Sequence, residues 1–166
     1  MEEYAYIEIL VEDKSGGILV EQVLDKFIKD KQNIAYRIHS FKGIGKIPLK
    51  ANRVSQIKTK RLLTDLPMYL KGMDSFLKNM PRKKAIFVIL DSDDEDCAEM
   101  KHSLMQMYQK LGIAIQVFFC IAIEEMEAWL LGDSDALLTA YPMAKRQFLQ
   151  KYTQDSIVGT WEYLAD

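Results

Sequence analysis

An α/β domain with a mostly parallel, four-stranded central sheet flanked by helices is the fold class that this sequence predicts. Two observations predict it. Short β-branched and aromatic runs alternate with stretches of helical spacing along most of the chain. The two most apolar runs, Ala85–Leu90 and Ile113–Ile123, lack in-out alternation, as strands buried on both faces do. A length of 166 residues with 49% hydrophobic and 28% charged side chains suits one globular domain able to bury a core.

The elements follow in order. Tyr4–Val11 reads as a strand, ended by the turn-rich stretch Glu12-Asp13-Lys14-Ser15-Gly16-Gly17. Ile18, Leu19, Val20, Val23, Leu24, Phe27 and Ile28 recur at helical spacing and predict a helix to about Lys31. Ile34–Ser40 is a second strand, and Phe41–Asn52, with Gly43, Gly45 and Pro48, is a loop. The pattern is helical from about Arg53 to Asn79, with a break expected near Pro67 and Gly72. Ala85–Leu90 is the third strand and Asp91–Asp94 the loop after it. The next helix runs to about Leu111, with Met100, Leu104, Met107 and Leu111 on one face and Gly112 as its C′ residue. Ile113–Ile123 is the fourth strand, followed by a helix from about Glu124 to Leu131 and further helical segments. The expectation is a single domain, 1–166, with a core of about 4–132 and a helical C-terminal extension of about 133–166. Trp161–Asp166 reads as the opening of a helix with no stop signal, so a longer natural C-terminus is expected.

Composition excludes several classes. The apolar runs fall short of the ~18 residues that span a bilayer, so no membrane association is expected. The opening Met1-Glu2-Glu3 offers no basic leader, which makes the cytoplasm the expected location. Cys97 and Cys120 have neither disulfide-framework nor metal-ligand spacing and read as small packing residues. The net charge of −2 hides a strong segregation. Residues 1–41 carry −3, residues 42–84 carry +10 with twelve Lys/Arg, and residues 85–166 carry −9. A basic segment beside an acidic one suits a polyanion-binding face next to an acidic site, or else lysine-rich solvated helix faces.

Ligands of open parallel sheets bind beyond the carboxyl ends of the strands. Acids follow three of the four predicted strands: Glu12 after the first, Asp91, Asp93 and Asp94 after the third, and Glu124, Glu125 and Glu127 after the fourth. Gathered carboxylates repel one another, and a divalent cation with oxygen ligands relieves that repulsion. The plainer readings are a cap for the next helix (Asp91–Asp96), an exposed turn (Glu12) and first-turn dipole pairing (Glu124 and Glu127, which at i, i+3 would share a helical face).

Strand-Glu12 followed by a later strand ending in Asp91-Ser92-Asp93 resembles the Toprim fold of topoisomerases, primases and the overcoming-lysogenisation-defect nucleases. More closely, Val11-Glu12-Asp13…Glu21, Leu90-Asp91-Ser92-Asp93-Asp94…Cys97 and Ile123-Glu124-Glu125-Met126-Glu127-Ala128-Trp129-Leu130-Leu131-Gly132-Asp133 are similar to a Toprim-related bacterial family of unknown function. Its members often accompany an ATPase partner in mobile-element defence. Toprim proteins usually carry Gly after the Glu, whereas here Asp13 follows Glu12 and the glycines come at Gly16 and Gly17. The resemblance implies Mg²⁺ or Mn²⁺ held by Asp91 and Asp93, with Glu12 as a further ligand or general acid/base. It also implies a second metal position completed by Glu127 or Glu124.

The loop Lys42-Gly43-Ile44-Gly45-Lys46 fails as a P-loop, because Ser40 and Ile47 stand where Gly and Ser/Thr are required; a generic phosphate contact and a flexible loop stay open. His39 reads as structural, Trp129 as a core anchor, and Met100, Met105 and Met107 as core filling. The expected function is divalent-metal-dependent cleavage of nucleic acid by a nuclease or phosphoesterase. Glu12, Asp91 and Asp93 would carry the chemistry, and Lys42, Lys46, Lys58, Lys60 and Arg61 the phosphate contacts. The alternatives are a non-catalytic module that docks nucleic acid or an ATPase, and a small-molecule phosphotransferase using the same acids.

Overall fold

The computed structural model describes residues 4–48 and 59–165. Among them the sheet has four parallel strands in the order β2-β1-β3-β4: β1 Ala5–Val11, β2 Ile34–Ser40, β3 Lys83–Asp91 and β4 Gln116–Ala122. The helices are α1 Lys14–Ile28, α2 Leu62–Leu77, α3 Cys97–Leu111, α4 Ala128–Leu131, α5 Ser134–Ala140, α6 Arg146–Lys151 and α7 Thr160–Ala165. The expected α/β fold is thus the one observed. The described residues include no helix long and apolar enough to cross a membrane. The chain divides into two compact units, one of residues up to Leu90 plus Lys101–Cys120, the other of Asp91–Met100 plus residues from Ile121 onward.

Strand order dictates where the helices of the first unit go. The step from β1 to β2 runs one way along the sheet and the later crossovers run the other way, so right-handed connections put α1 on one face and α2 and α3 on the opposite one. Side chains agree. A Cβ on Gly17 of α1 would meet Ser40 and Ile38, whereas Tyr69 of α2 stacks edge-on with His39 and Phe41, the residues that alternate to the other face. The core is aliphatic: Leu10 and Val11 of β1, Leu62, Leu66, Leu70 and Leu77 of α2, Ile86, Val88 and Leu90 of β3, and Leu104 of α3 are fully or almost fully buried.

Element ends depart from the sequence expectations for local reasons. Helix α1 begins at Lys14 rather than Ile18, because Asp13 accepts the Gly16 N–H at 2.7 Å as its N-cap. Gly16 and Gly17 lie inside the helix, and the missing side chain of Gly17 allows close approach to β2. Helix α2 runs unbroken through Pro67 and Gly72, against the expected break. Pro67 offers no N–H to the carbonyl one turn back, and its burial with Leu63, Leu66 and Leu70 offsets that loss. The part of that expected helix from Arg53 to Lys58 lies outside the described residues. Strand β4 starts at Gln116, not Ile113, because the Ala114 and Ile115 N–H groups turn aside to donate to Asp74 (3.0 and 2.9 Å). Met100 and Met107 are buried as expected, but Met105 is exposed and Trp129 is 48% exposed rather than anchored in the core.

Lys84 shows how the fold commits a charge. From β3 its ammonium donates to the carbonyls of Leu77, Lys78 and Met80 at 2.5, 3.0 and 3.0 Å, placing a cation against the C-terminal end of α2 and the turn that follows it. This lysine belongs to the basic segment by sequence, yet its donors are spent inside the fold. Lys84→Met keeps the stem and removes the cation; urea unfolding should register a loss of about 1–2 kcal/mol with an unchanged m-value.

Candidate functional site

The basic loop is an ordered structure rather than a slack one. Leaving β2, Phe41 donates its N–H to the Val11 carbonyl (3.0 Å) and Gly43 donates to the Glu12 carbonyl (3.0 Å). On its other side, Lys42 N–H bonds the Lys60 carbonyl (2.7 Å), while the Leu62 and Leu63 N–H groups donate to the carbonyls of Gly43 and Ile44 (3.0 and 2.7 Å). The first amides of α2, which could have held a phosphate, are thus capped by the loop itself. Gly43 and Gly45 adopt φ values of +95 and +71, and a Cβ at either would strike the Arg61 side chain at 2.6 Å. The glycines therefore serve a close crossing between loop and helix.

Buried Asp65 fixes the other side of that crossing. It accepts the Thr59 N–H, the Thr59 hydroxyl and the Lys60 N–H at 3.0, 2.9 and 2.8 Å, holding Lys60 at φ +64. Thr64 Oγ1 accepts from Lys46 N–H and donates to the Lys46 carbonyl, both at 3.2 Å. The structure thereby brings the exposed residues Lys42, Lys46, Lys60 and Arg61 together along one stretch of backbone, next to the main chain of Glu12. Lys58 lies outside the described residues.

Glu12 follows β1 directly, and its N–H donates to the Ile89 carbonyl of β3 at 3.2 Å. The β1–β3 register pairs Val11 with Ile89, and both strands run toward the same sheet edge. One polar pair escaped the sequence reading altogether. Glu8, 3% exposed in the middle of β1, accepts from Tyr6 hydroxyl (3.1 Å) and lies 2.6 Å from Nε2 of His39. His39 is thus structural as expected, but its partner carried no signal beyond an acid at an alternating strand position.

In the second unit, Asp91 is the last residue of β3 and Ser92 is buried behind it. Ser92 N–H donates to the Ala122 carbonyl (2.9 Å), and Asp93, in the left-handed region at φ +47, donates to the Glu124 carbonyl (3.0 Å). Asp96 does what the plainer reading of the acidic run required, accepting the Glu99 N–H at 2.8 Å in the first turn of α3. Glu124 and Glu127 do not share a helical face. Glu124 stands at φ +63 ahead of α4, and Glu127 is its N-cap residue, because the chain must turn before that four-residue helix can begin. Both oxygens of Glu124 are engaged, by Ile157 N–H and Tyr152 hydroxyl, and Glu125 accepts from Thr160 and Trp161.

Although Asp93 is exposed as a residue, partial desolvation of its carboxyl is the main reason that it is pushed above the usual carboxylate range, with Glu125, Asp94 and Glu95 adding repulsion. Burial likewise raises the Cys120 thiol, which makes it a poor nucleophile and leaves it as a packing residue. Among the described residues, no three His, Cys, Asp or Glu side chains are gathered to hold a metal ion. Folded Asp93 binds its proton more tightly than the unfolded chain does, so its contribution is retained at low pH and lost as pH rises from the usual carboxylate range through its raised value. Asp93→Asn, which tolerates the same backbone, should raise Tm at neutral pH by about one to two degrees, a gain that vanishes near pH ~3. Calorimetry across pH checks this.

No curated protein and no solved structure matches the chain. A family model described as a domain of unknown function (DUF4276) matches residues 11–156, from the last residue of β1 to the stretch just ahead of α7. The chain therefore belongs to the DUF4276 family.

Proposed function

We propose that this protein is a divalent-metal-dependent nuclease or phosphoesterase acting on nucleic acid. The observation that carries the reading is the ordered basic loop, which concentrates Lys42, Lys46, Lys60 and Arg61 beside the backbone of Glu12 at the carboxyl edge of a parallel sheet. Four exposed cations held on one fixed backbone crossing suit a run of phosphates better than a single nucleotide. Asp91 and Asp93 offer hard oxygen donors two residues apart. Mg²⁺ commonly takes only one or two carboxylates and fills its shell with water and substrate phosphate, so this pair suits Mg²⁺ or Mn²⁺ without a third protein ligand. A bound ion would supply Lewis acidity toward a phosphate group. Of the two roles that the Toprim resemblance implies for Glu12, the proposal keeps the general acid/base and not the metal ligand. Glu124 spends its oxygens on residues 152 and 157, so the proposal keeps one cation and leaves the second position, Glu127 included, aside. An ATPase partner, a defence role and a cytoplasmic location belong to the same proposal.

A second reading has an observation of its own. The lack of a three-carboxylate group among the described residues favours a non-catalytic module that docks nucleic acid or an ATPase without cleaving.

Two measurements separate them. Mn²⁺ should raise the Tm of the wild type, by about 3 kcal/mol of linkage at a hundredfold excess over Kd, and Asp91→Asn with Asp93→Asn should abolish the response. The same double variant should abolish cleavage of a labelled oligonucleotide; metal-independent binding without cleavage would install the docking reading. In a salt series, charge reversal of Lys42, Lys46 and Lys60 to Glu should weaken duplex binding with the metal response intact. The salt slope should flatten by up to about 0.9 for every phosphate that is no longer neutralised. Arg61 is kept in this variant because it packs against Gly43 and Gly45.

A further inference from the structure

Glu124 occupies a costly place. It is 4% exposed, carries an acid, and holds a left-handed backbone without being glycine. Its polar groups go in two directions. The main chain serves the acidic loop: its N–H donates to Ser92 Oγ at 3.1 Å, and its carbonyl accepts the Asp93 N–H at 3.0 Å. The side chain serves a segment much further along, accepting from the Ile157 N–H and, at 3.4 Å, from the Tyr152 hydroxyl. Glu125 repeats the arrangement, because one of its oxygens accepts from both the Thr160 hydroxyl and the Trp161 N–H at 2.8 Å, and Thr160 is fully buried.

We infer that residues 152–161 form a strap that sets the conformation of the Asp91–Asp93 loop, with Glu124 as the positioning residue that joins the two and Glu125 as its second fastening. The importance of the loop rests on the proposed metal chemistry, but the coupling does not. Asp93 keeps its left-handed backbone through a bond to a carbonyl whose own residue is also left-handed, and that second residue is held by the strap. Lifting the strap removes the support of Glu124 and frees Asp93 to leave φ +47. The same two carboxylates, Glu124 buried and Glu125 half-buried, explain why residues with first-turn spacing after a parallel strand do not simply continue into a helix.

Amide hydrogen exchange on the full chain, read by NMR, tests the coupling. Glu124→Ala should speed exchange of the Asp93 N–H about tenfold or more. The Leu137 N–H of α5 and the Phe41 and Gly43 amides of the other unit should exchange as in the wild type. Glu124→Gln keeps an acceptor for the Ile157 N–H and a polar group opposite Tyr152, and should return Asp93 to within about twofold of wild type. If Glu124→Ala fails to fold, Tyr152→Phe combined with Thr160→Val gives the same reading from the strap side. Unchanged exchange at Asp93, or equal acceleration at Asp93 and Leu137, overturns the inference. Mn²⁺ titration of the same variants should show weaker uptake for Glu124→Ala and recovery for Glu124→Gln. A wild type that takes up no Mn²⁺ sinks the metal reading, and the exchange result still decides the strap.

Discussion

The crossing of residues 41–47 over the end of β1 and the start of α2 is the constraint from which the first unit takes its functional shape. Five main-chain hydrogen bonds tie this short segment to Val11 and Glu12 on one side and to Lys60, Leu62 and Leu63 on the other. Each satisfies a group that a strand end or a helix start would otherwise leave open. Glycine is required at Gly43 and Gly45 because the backbone is left-handed and Arg61 occupies the space of a Cβ, with its guanidinium at Gly43 and its stem at Gly45. The lysines are a consequence: once the crossing is fixed, Lys42, Lys46 and Lys60 have few places to go but outward.

The acidic half is organised on a different principle. There, carboxylates act mainly as acceptors for main-chain and hydroxyl donors: Asp96 for the start of α3, Asp133 for α5, Glu124 and Glu125 for residues 152–161. What distinguishes Asp93 is a disfavoured charge. Partial desolvation of its carboxyl disfavours it most, and the neighbours Glu125, Asp94 and Glu95 add repulsion. A group in that position gains when a cation arrives, which is the physical content of the metal proposal.

Charge segregation along the chain overstates the free positive surface. Lys84 is absorbed by the end of α2, and the backbone of Lys60 is clamped by Asp65, although its ammonium is not. Counting residue types therefore sets an upper bound on a polyanion face. The number of cations on ordered, exposed backbone sets its working size.

By itself the sequence determined the element order, the parallel α/β class, the strand Ile34–Ser40 to the residue, and the acids that follow three strand ends. These are local or periodic features: strand character depends on two-residue alternation or a continuous apolar run, and helical character on spacing of three and four. What only the tertiary structure decided are the meetings of residues far apart in the chain. Glu8 finds His39, Asp74 turns Ala114 and Ile115 aside, Asp65 captures Thr59 and Lys60 as α2 begins, and Glu124 bends out of the helix its spacing suggested in order to hold Ile157. Each is a buried or half-buried polar group choosing a partner, and that choice depends on which donor the packed fold delivers within three ångströms or so, a quantity that no local pattern of residue types encodes.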